Sequence, residues 1–403
     1  MVKQPNRAKG ADSCDLAIVG GGLAGGLIAL AVHRARPDLT LRLIEAQPVF
    51  GGNHRWSWFE GDLDEAGTAL LNAFHHIEWH SGHQVRFPGF ARHLSGDYRS
   101  LASADFDSGL RRMLPQDALC CGFRVAELNE SGVTLESGRR IAAKRVIDCR
   151  DFAPSRHLRG GWQIFVGHHV RTAKPHGLDA PIIMDADVAQ HGAYRFVYSL
   201  PLSENEIFVE DTYYADDPAL DPAVLSQRIA EYLTRQGWEG DIIAREAGVL
   251  PVITGGDAGA HRASRAIPGV ALAGAGGLFT HPLTSYTLPF AAANALAVAR
   301  HADLPGPELA KLLDRRAQNH WRATRFYRAL GRMLFGAARP EERWRIFARF
   351  YHLRQPLIAR FYAGRSTAVD KLRLLAGKPP VAIGRGLAAL LGKGVPLGKE
   401  EVR

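Results

Sequence analysis

Three glycines and one acid near the start of the chain have the types and spacing needed to bind a dinucleotide. Gly20, Gly22 and Gly25 form the pattern G-x-G-x-x-G, and Glu45 follows the last glycine by twenty residues. The first glycine permits a tight turn, the second lets the backbone approach a pyrophosphate, and the third lets a helix pack closely on a strand. The acid can accept a hydrogen bond from a ribose hydroxyl group. Because position 45 is an acid rather than an arginine, FAD or NAD is favoured over NADP.

The segments around these residues predict the elements that position them. The apolar run Leu16–Val19 predicts a buried strand, residues 27–32 predict a helix, and residues 39–44 predict a second strand that leads into Glu45. The first amide groups of the helix would face the phosphates. This strand–helix–strand unit predicts an α/β protein with a Rossmann-like domain.

Two adjacent acids, Glu210 and Asp211, lie in a second segment of interest. Residues 194–200 (YRFVYSL) and 206–213 (EIFVEDTY) flank a turn and predict an antiparallel hairpin in a separate lobe. On an extended strand, successive side chains face opposite surfaces. We therefore expect the two acids to face different surfaces and not to share a proton.

The composition is that of a globular protein large enough for two lobes. The chain has 403 residues, of which 46% are hydrophobic and 23% are charged. Four cysteines, including the adjacent Cys120 and Cys121, have no spacing typical of a metal site or a disulfide framework, so reduced thiols in the cytoplasm are expected. The histidines at positions 75, 76, 80 and 83 have no carboxylate or cysteine at a recognisable metal-site spacing, so no metal site is predicted.

Further elements are predicted along the chain, giving an α/β protein that is α+β overall. Helices are expected at residues 101–114, 220–236 and 290–299, and strands at residues 123–128, 133–136, 146–148, 164–170, 182–184 and 269–273. The longest apolar stretch, residues 16–32, contains five glycines and is better explained by the strand–turn–helix unit than by a membrane span.

The basic charge is concentrated near the C-terminus. Residues 311–365 contain 14 Lys or Arg and three acids, against a net charge of +9 for the whole chain. On a helix, Arg325, Arg328 and Arg332 lie opposite an apolar side that includes Phe326 and Leu330. Two interpretations are open, a helical lobe packed on its own core and a surface that docks on anionic lipid. Nucleic-acid binding is not predicted, because no recognised reading module accompanies these helices.

Taken together, several segments resemble the bacterial lycopene β-cyclase family. They are DLAIVGGGLAGGLIAL (15–30), GGNHRWSW (51–58), VIDCRD (146–151), YRFVYSLPLSENEIFVEDTYY (194–214), GGLFTHPLTSYTLPFA (276–291) and the RFY-rich tail that begins at residue 325. The likeness covers nearly the whole chain in the right order. The glycine motif is common to many flavoproteins, whereas FVEDT together with HPLTSY and the tail is more specific.

The resemblance implies an FAD-dependent carotenoid cyclase with a GR2-type flavoprotein fold. Such an enzyme closes the linear ψ ends of lycopene into β-ionone rings, giving γ- and β-carotene, and this isomerisation needs reduced FAD, with NAD(P)H as the external reductant, but no net electron transfer. The family glutamate in F-x-E-[DE]-T corresponds to Glu210, and Asp211 beside it is the second candidate catalytic residue. The proton donor stays open between Glu210 and N5–H of the flavin. The resemblance also implies that the protein is cytoplasmic and that it binds anionic lipid at the surface of the inner membrane.

The resemblance further implies cofactor contacts beyond the glycine motif and Glu45. The implied contacts are Ala46, Gly52, Gly276, Gly277, His281, Pro282, Thr284 and Tyr286. Two positions depart from the related pattern. Ala275 stands where many FAD proteins have an aspartate, and Ser285 stands where the family has a glycine, so the local backbone conformation is expected to change.

The domain organisation is predicted in six segments. FAD-binding parts are expected at residues 14–80, 119–160 and 266–305, a helical insertion of the substrate lobe at 81–118, the substrate-binding sheet at 161–265, and a membrane-facing helical region at 306–403. Two alternatives remain. A flavin-dependent monooxygenase or dehydrogenase acting on an apolar isoprenoid would need a nicotinamide electron source, and a carotenoid- or lipid-binding protein would form no isomerised product.

Overall fold

The computed structural model describes residues 13–377, 383–392 and 394–398. The strands, in chain order, are β1 (Ser13–Cys14), β2 (Leu16–Val19), β3 (Leu41–Glu45), β4 (Arg55–Phe59), β5 (Ile77–Trp79), β6 (His83–Phe87), β7 (Phe90–Leu94), β8 (Tyr98–Ala102), β9 (Leu119–Cys121), β10 (Val125–Asn129), β11 (Gly132–Leu135), β12 (Arg140–Ala143), β13 (Val146–Asp148), β14 (Leu158–Thr172), β15 (Ile182–Asp185), β16 (Tyr194–Ser203), β17 (Glu206–Ala215), β18 (Gly240–Gly256) and β19 (Ala271–Leu272). The helices are α1 (Leu23–Ala35), α2 (Glu65–Leu71), α3 (Ser103–Met113), α4 (Pro222–Gln236), α5 (Ala258–Arg265), α6 (Leu288–Arg300), α7 (Gly306–Ala323), α8 (Arg325–Ala337), α9 (Trp344–Tyr351), α10 (Gln355–Tyr362), α11 (Ala368–Leu375) and α12 (Ile383–Leu391).

A parallel five-stranded sheet forms the centre of the Rossmann-like lobe. Its order is β19-β13-β2-β3-β9, so segments far apart in sequence lie side by side. The predicted strand–helix–strand unit is confirmed as β2, α1 and β3. Leu27, Ile28 and Val32 of α1 are completely buried in the core of this lobe. The apolar repeat that predicted the helix therefore stabilises it by packing.

A seven-stranded sheet forms the second lobe, in the order β18-β14-β17-β16-β15-β6-β7. The predicted hairpin is confirmed as β16 and β17, which pair antiparallel. One face of the sheet packs on α4, and Ile207 and Val209 lie in that core. The other face packs on the C-terminal helices, and Phe208 and Tyr214 lie in that second core. Alternate residues of β17 thus face opposite surfaces, as the sequence predicts.

Two smaller sheets complete the fold, β1-β12-β11-β10 and β4-β8-β5. The sequence predicted the hairpin of β10 and β11 but not β18, which runs for 17 residues beside β14. The first half of β18 is largely exposed, and its apolar residues do not alternate regularly with Asp241, Arg245 and Glu246, so it lacks the pattern by which strands are recognised. The six-segment domain division stays a prediction.

The C-terminal helices correct one sequence-based expectation. Arg328 was expected on the solvent-facing side of α8, but it is buried and its guanidinium lies 3.6 Å from the centroid of the Trp321 ring. It also donates hydrogen bonds to Thr324 Oγ1 and to the Trp321 carbonyl oxygen. A helical projection cannot show this contact, because Trp321 belongs to the preceding helix. Arg325 remains exposed.

Across the residues that the structure describes, no helix combines the length and apolarity needed to cross a lipid bilayer.

Candidate active site

Glu210 projects from the middle of β17 into a cavity of about 200 Å³ between the large sheet and the Rossmann-like lobe, here called the Glu210 cavity. Its walls are mainly apolar or aromatic and come from β4, β8, β14, β16, β17, β18 and the segment before α6. They include Trp56, Tyr98, Phe165, Tyr198, Phe208, Leu250 and Tyr286. Thr212 donates a hydrogen bond to Glu210 Oε1 at 2.6 Å. Burial raises the pKa of Glu210 above its usual range, so its neutral form is favoured.

A second acid, Glu246 of β18, lies beside Glu210. Both residues are in register with Gly167 of the intervening strand β14, so both side chains project on the same face of the sheet. A Cβ atom at position 167 would lie 2.4 Å from the Phe208 ring and 2.9 Å from Glu246 Cγ. The absent side chain thus leaves the space in which the two carboxyl groups reach each other and hydrogen-bond.

The two carboxyl groups hold protons more firmly than isolated glutamates do. Burial and the neighbouring Glu210 charge together raise the pKa of Glu246 well above its usual range. Because the groups are coupled, their titration belongs to the pair. A protonated Glu246 can donate a hydrogen bond to the Glu210 carboxylate.

Arg55 is the cation whose charge acts on both carboxyl groups of this pair. Its guanidinium lies 5.4 Å from the centroid of the Phe208 ring, and its charge opposes the rise in pKa of both glutamates. Burial lowers the pKa of Arg55 itself. Among the described residues, Glu210, Glu246 and Arg55 therefore form a group of ionisable side chains in mainly apolar surroundings.

Asp211 lies on the opposite face of β17 and is not brought to the Glu210 cavity. Its carboxylate is completely buried and accepts hydrogen bonds from Arg195 Nε at 2.7 Å and from the Tyr213 hydroxyl at 2.9 Å. Burial raises the pKa of Asp211, while Arg195 opposes that rise. The arrangement is that of a buried ion pair between the sheet and α4.

The glycine motif forms an open cradle at the start of α1. Gly20 has a φ of +99°, and a Cβ at Gly25 would lie 2.0 Å from the Gly20 carbonyl oxygen, so both positions require glycine. A Cβ at Gly22 would meet no atom within 4 Å, and no side chain caps the helix there. Open space therefore faces the uncapped amide groups, and these residues fit a dinucleotide pyrophosphate.

Glu45 lies at the end of β3, as predicted. Its carboxylate accepts hydrogen bonds from the Gly21 and Gln47 amide groups at 2.7 and 2.8 Å. These bonds fix the carboxylate beside the glycine turn and leave lone pairs for a ribose hydroxyl group. Ala46 follows it, and Gly52 is exposed with a φ of +71° in the next turn.

The other predicted cofactor contacts lie in the segment between β19 and α6. Gly276 and Gly277 form a buried turn, and a Cβ at Gly276 would lie 2.8 Å from the Arg150 carbonyl oxygen. Pro282 is buried, and His281 packs on Tyr327 with 4.6 Å between ring centroids. Burial lowers the pKa of His281 to about 3, so this imidazole is neutral.

Thr284, Ser285 and Tyr286 line the Glu210 cavity. Ser285 replaces the family glycine, and the sequence predicted a changed backbone there. Ser285 has a left-handed conformation with a φ of 58°, which favours glycine, and the change relative to the family stays a prediction. Its hydroxyl donates a hydrogen bond to the Pro251 carbonyl oxygen at 2.9 Å, which offsets part of the strain.

The histidine cluster has carboxylate neighbours that sequence spacing did not reveal. Donor atoms of Glu78, His80 and Asp97 lie within 4.8 Å of one another. However, Arg99 forms ion pairs with Glu78 at 2.8 Å and with Asp97 at 3.2 Å. The Arg99 guanidinium thus supplies the positive charge that balances the Glu78 and Asp97 carboxylates.

Sequence analysis missed Glu246, Gly167 and Arg55 as members of the site. Arg55 belongs to the GGNHRWSW segment, which was cited only for the family resemblance. Glu246 had no signal of its own, because its contact with Glu210 depends on the pairing of β18 with β14.

The chain matches known proteins over nearly its full length. The family model described as "Lycopene cyclase protein" matches residues 15–388. The lycopene beta-cyclase of Pseudescherichia vulneris is 43% identical over 380 residues, covering 94% of this chain and 97% of the relative. The lycopene beta-cyclase of Pantoea ananas is 41% identical over 378 residues, covering 94% and 98%.

Solved structures share the fold at low sequence identity. A geranylgeranyl bacteriochlorophyll reductase-like protein from Thermoplasma acidophilum has a TM-score of 0.63 at 12% identity, covering 94% of this chain and 99% of its own. An HpxO variant from Klebsiella pneumoniae, complexed with FAD, has a TM-score of 0.58 at 14% identity, covering 94% and 100%. At such identities the likeness concerns the fold alone.

Proposed function

Because this chain belongs to the lycopene cyclase family, we propose that it is a lycopene β-cyclase that closes the linear ends of lycopene into β-ionone rings. The reaction adds and removes one proton at each end and is an isomerisation. The observation that carries the proposal is the position of Glu210, a carboxyl group with a raised pKa in an apolar cavity. A hydrocarbon offers no polar handle, so it needs both an apolar site and a neutral acid.

We also propose FAD as the cofactor, since the glycine cradle and Glu45 fit it and the fold is shared with a protein complexed with FAD. Gly20, Gly22, Gly25 and Glu45 would hold it, and the segments of Gly52 and of residues 276–286 would complete the site. In its reduced form, with NAD(P)H as external reductant, FAD supplies an electron-rich ring system that stabilises positive charge.

Glu210 carries out the proton transfers in this proposal. Its neutral carboxyl group gives a proton to the terminal double bond, which leaves a tertiary cation. The neighbouring double bond attacks that cation and closes the ring. The Glu210 carboxylate then takes a proton from the ring, which restores the acid and forms the ring double bond. The proton count of the protein is unchanged after one turnover.

Glu246 and Arg55 stabilise Glu210 during the interval in which it is charged. Glu246 holds its proton firmly and donates a hydrogen bond to the newly formed carboxylate. Arg55 compensates the negative charge by electrostatic attraction. Glu246 is not among the residues that line the Glu210 cavity, so we assign it a positioning role. Asp211, in its ion pair on the opposite face, is assigned a structural role.

The direct test is the variant Glu210→Gln, in which the acid becomes an amide of nearly the same shape. We expect purified protein to retain FAD, seen by its visible absorption, but to form no cyclised product from lycopene vesicles under reducing, anaerobic conditions. Glu206→Gln is the matched control, because Glu206 lies on the same strand and pairs with Arg171 outside the cavity. Full activity of Glu210→Gln would exclude Glu210 and favour N5–H of the flavin as donor.

We further propose that the protein docks on the cytoplasmic membrane through α11. Val369, Leu372 and Leu375 are 74%, 70% and 54% exposed, which is unusual for large apolar side chains. Lys371 and Arg373 lie on the same helix between them. Apolar side chains flanked by basic ones match the surface of anionic lipid.

A further inference from the structure

A second cavity lies among the C-terminal helices and is here called the C-terminal chamber. Its volume is about 450 Å³, and its walls come from residues of α8 to α12 together with Leu283 and Thr284. The lining is almost entirely apolar, with Met333, Phe350 and Leu390 as examples. Arg349 is the only charged lining residue among those described, and its guanidinium donates a hydrogen bond to the Ala376 carbonyl oxygen. The chamber thus suits a hydrocarbon.

The C-terminal chamber adjoins the Glu210 cavity. Thr284 lines both spaces. Tyr362 lines the chamber, and its ring centroid lies 5.9 Å from that of Tyr286, which lines the Glu210 cavity. The Thr284 hydroxyl is buried and has no hydrogen-bond partner in the described structure. Thr284, Tyr286 and Tyr362 therefore lie where the two spaces come together.

The Glu210 cavity alone is too small for a long polyene. Its volume of about 200 Å³ lies below the roughly 300–1,000 Å³ of pockets that enclose drug-sized ligands. It can accept one end of such a molecule, but the remaining chain must lie elsewhere. The adjoining chamber is larger and apolar, so it supplies that space.

We propose that the C-terminal chamber binds the part of the linear polyene that is not being cyclised, while the reacting end lies beside Glu210. The proposal rests on the proposed function and extends it to a second binding site. Leu375 of α11 and Leu387 of α12 line the chamber and are 54% and 57% exposed, so they form its outer mouth. The mouth lies beside the proposed docking helix, and a polyene can enter there without crossing water.

The test shortens the chamber and compares two substrates. Leu390 lines the chamber, and Leu390→Trp would fill part of it; Met333→Trp does the same from α8. We expect kcat/KM for lycopene to fall about tenfold, since overfilling an apolar site costs that order of binding. An acyclic polyene of half the length, with one identical end, should be cyclised within about twofold of the wild-type rate. Detergent micelles deliver both substrates, so that membrane docking does not enter the comparison.

Ala388→Trp is the matched control, because Ala388 is exposed on the same helix and does not line the chamber. This variant should leave kcat/KM unchanged for both substrates. The proposal would be overturned if Leu390→Trp and Met333→Trp lower kcat/KM equally for both substrates. It would also be overturned if they lower it for neither.

A binding measurement separates this proposal from the proposed function. In the Glu210→Gln background, the absorption change of bound polyene reports occupancy without turnover. Leu390→Trp should weaken binding of the long polyene about tenfold and leave the short one unchanged. If wild-type protein cyclises neither substrate, the proposed function fails, yet the binding comparison still supports or overturns the chamber. Equal binding of the long polyene with and without Leu390→Trp would overturn it.

Discussion

The hydrogen bond from Glu246 to Glu210 can be tested by replacing its donor. In Glu246→Leu the shape is roughly kept but no proton faces Glu210, whereas Glu246→Gln keeps an N–H donor. A hydrogen bond to a charged group contributes about 1.5–3 kcal/mol. We therefore expect the leucine variant to lose roughly ten- to a hundredfold in kcat, because the Glu210 carboxylate formed in the reaction is less stable. The glutamine variant should remain within about fivefold of wild type.

The pH profile provides an independent readout of the same interaction. Glu210 must be protonated to act, so activity is present at low pH and is lost as the pH rises through its raised pKa. Without the donor at position 246, the charged form of Glu210 is less stable and its pKa rises further, by about one to two units. The falling limb of the profile should move to higher pH in Glu246→Leu, while the plateau falls. In Glu246→Gln the limb should stay near its wild-type position.

The assay is product chromatography across a pH series, with FAD content measured for each variant. Glu239→Leu is a control for the substitution itself, because Glu239 is exposed just before β18. A leucine variant with the wild-type plateau and limb would show that the hydrogen bond has no role. If Glu246→Gln is as slow as Glu246→Leu, the reasoning is also refuted, because an N–H donor at position 246 then does not suffice. In that case the reaction requires transfer of the Glu246 proton itself.

Three further predictions concern the scaffold and the membrane. Asp211→Asn should lower the free energy of unfolding by about 3–5 kcal/mol, measured by denaturant titration, because it breaks the buried pair with Arg195; lost activity at unchanged stability would instead give Asp211 a catalytic role. Ser285→Gly should raise the free energy of unfolding by roughly 1 kcal/mol, since relief of the left-handed strain exceeds the lost hydrogen bond, and a lower value would contradict this. Replacing Val369 and Leu372 by serine should weaken co-sedimentation with anionic vesicles at least about tenfold, and unchanged binding would exclude α11 as the docking helix.

Local pattern was sufficient to predict the parts of the fold that depend on near neighbours in sequence. The turn at Gly20, helix α1 and the position of Glu45 follow from residues within one strand–helix–strand unit. The opposite orientation of Glu210 and Asp211 follows from the alternation of an extended strand. Each of these predictions is confirmed by the strands and contacts of the structure.

The features that sequence did not reveal depend on pairing between distant segments. Glu246 reaches Glu210 only because β18 and β17 both pair with β14 in register at Gly167. Arg328 is buried because the preceding helix places Trp321 against it. Register and helix docking are set by contacts far apart in sequence, so a single sequence carries no local signal for them.

Glu210 and Asp211 show how one strand can hold two acids for different purposes. Both are removed from bulk water by the same sheet, and burial raises the pKa of each. Asp211 has a guanidinium in direct contact at 2.7 Å, so its charged form is stabilised and its proton is not needed. Glu210 instead faces an apolar cavity, where burial raises its pKa more than the hydrogen bonds from Thr212 and Glu246 lower it. The environment on each side of the sheet thus separates a structural carboxylate from an acid able to protonate a double bond.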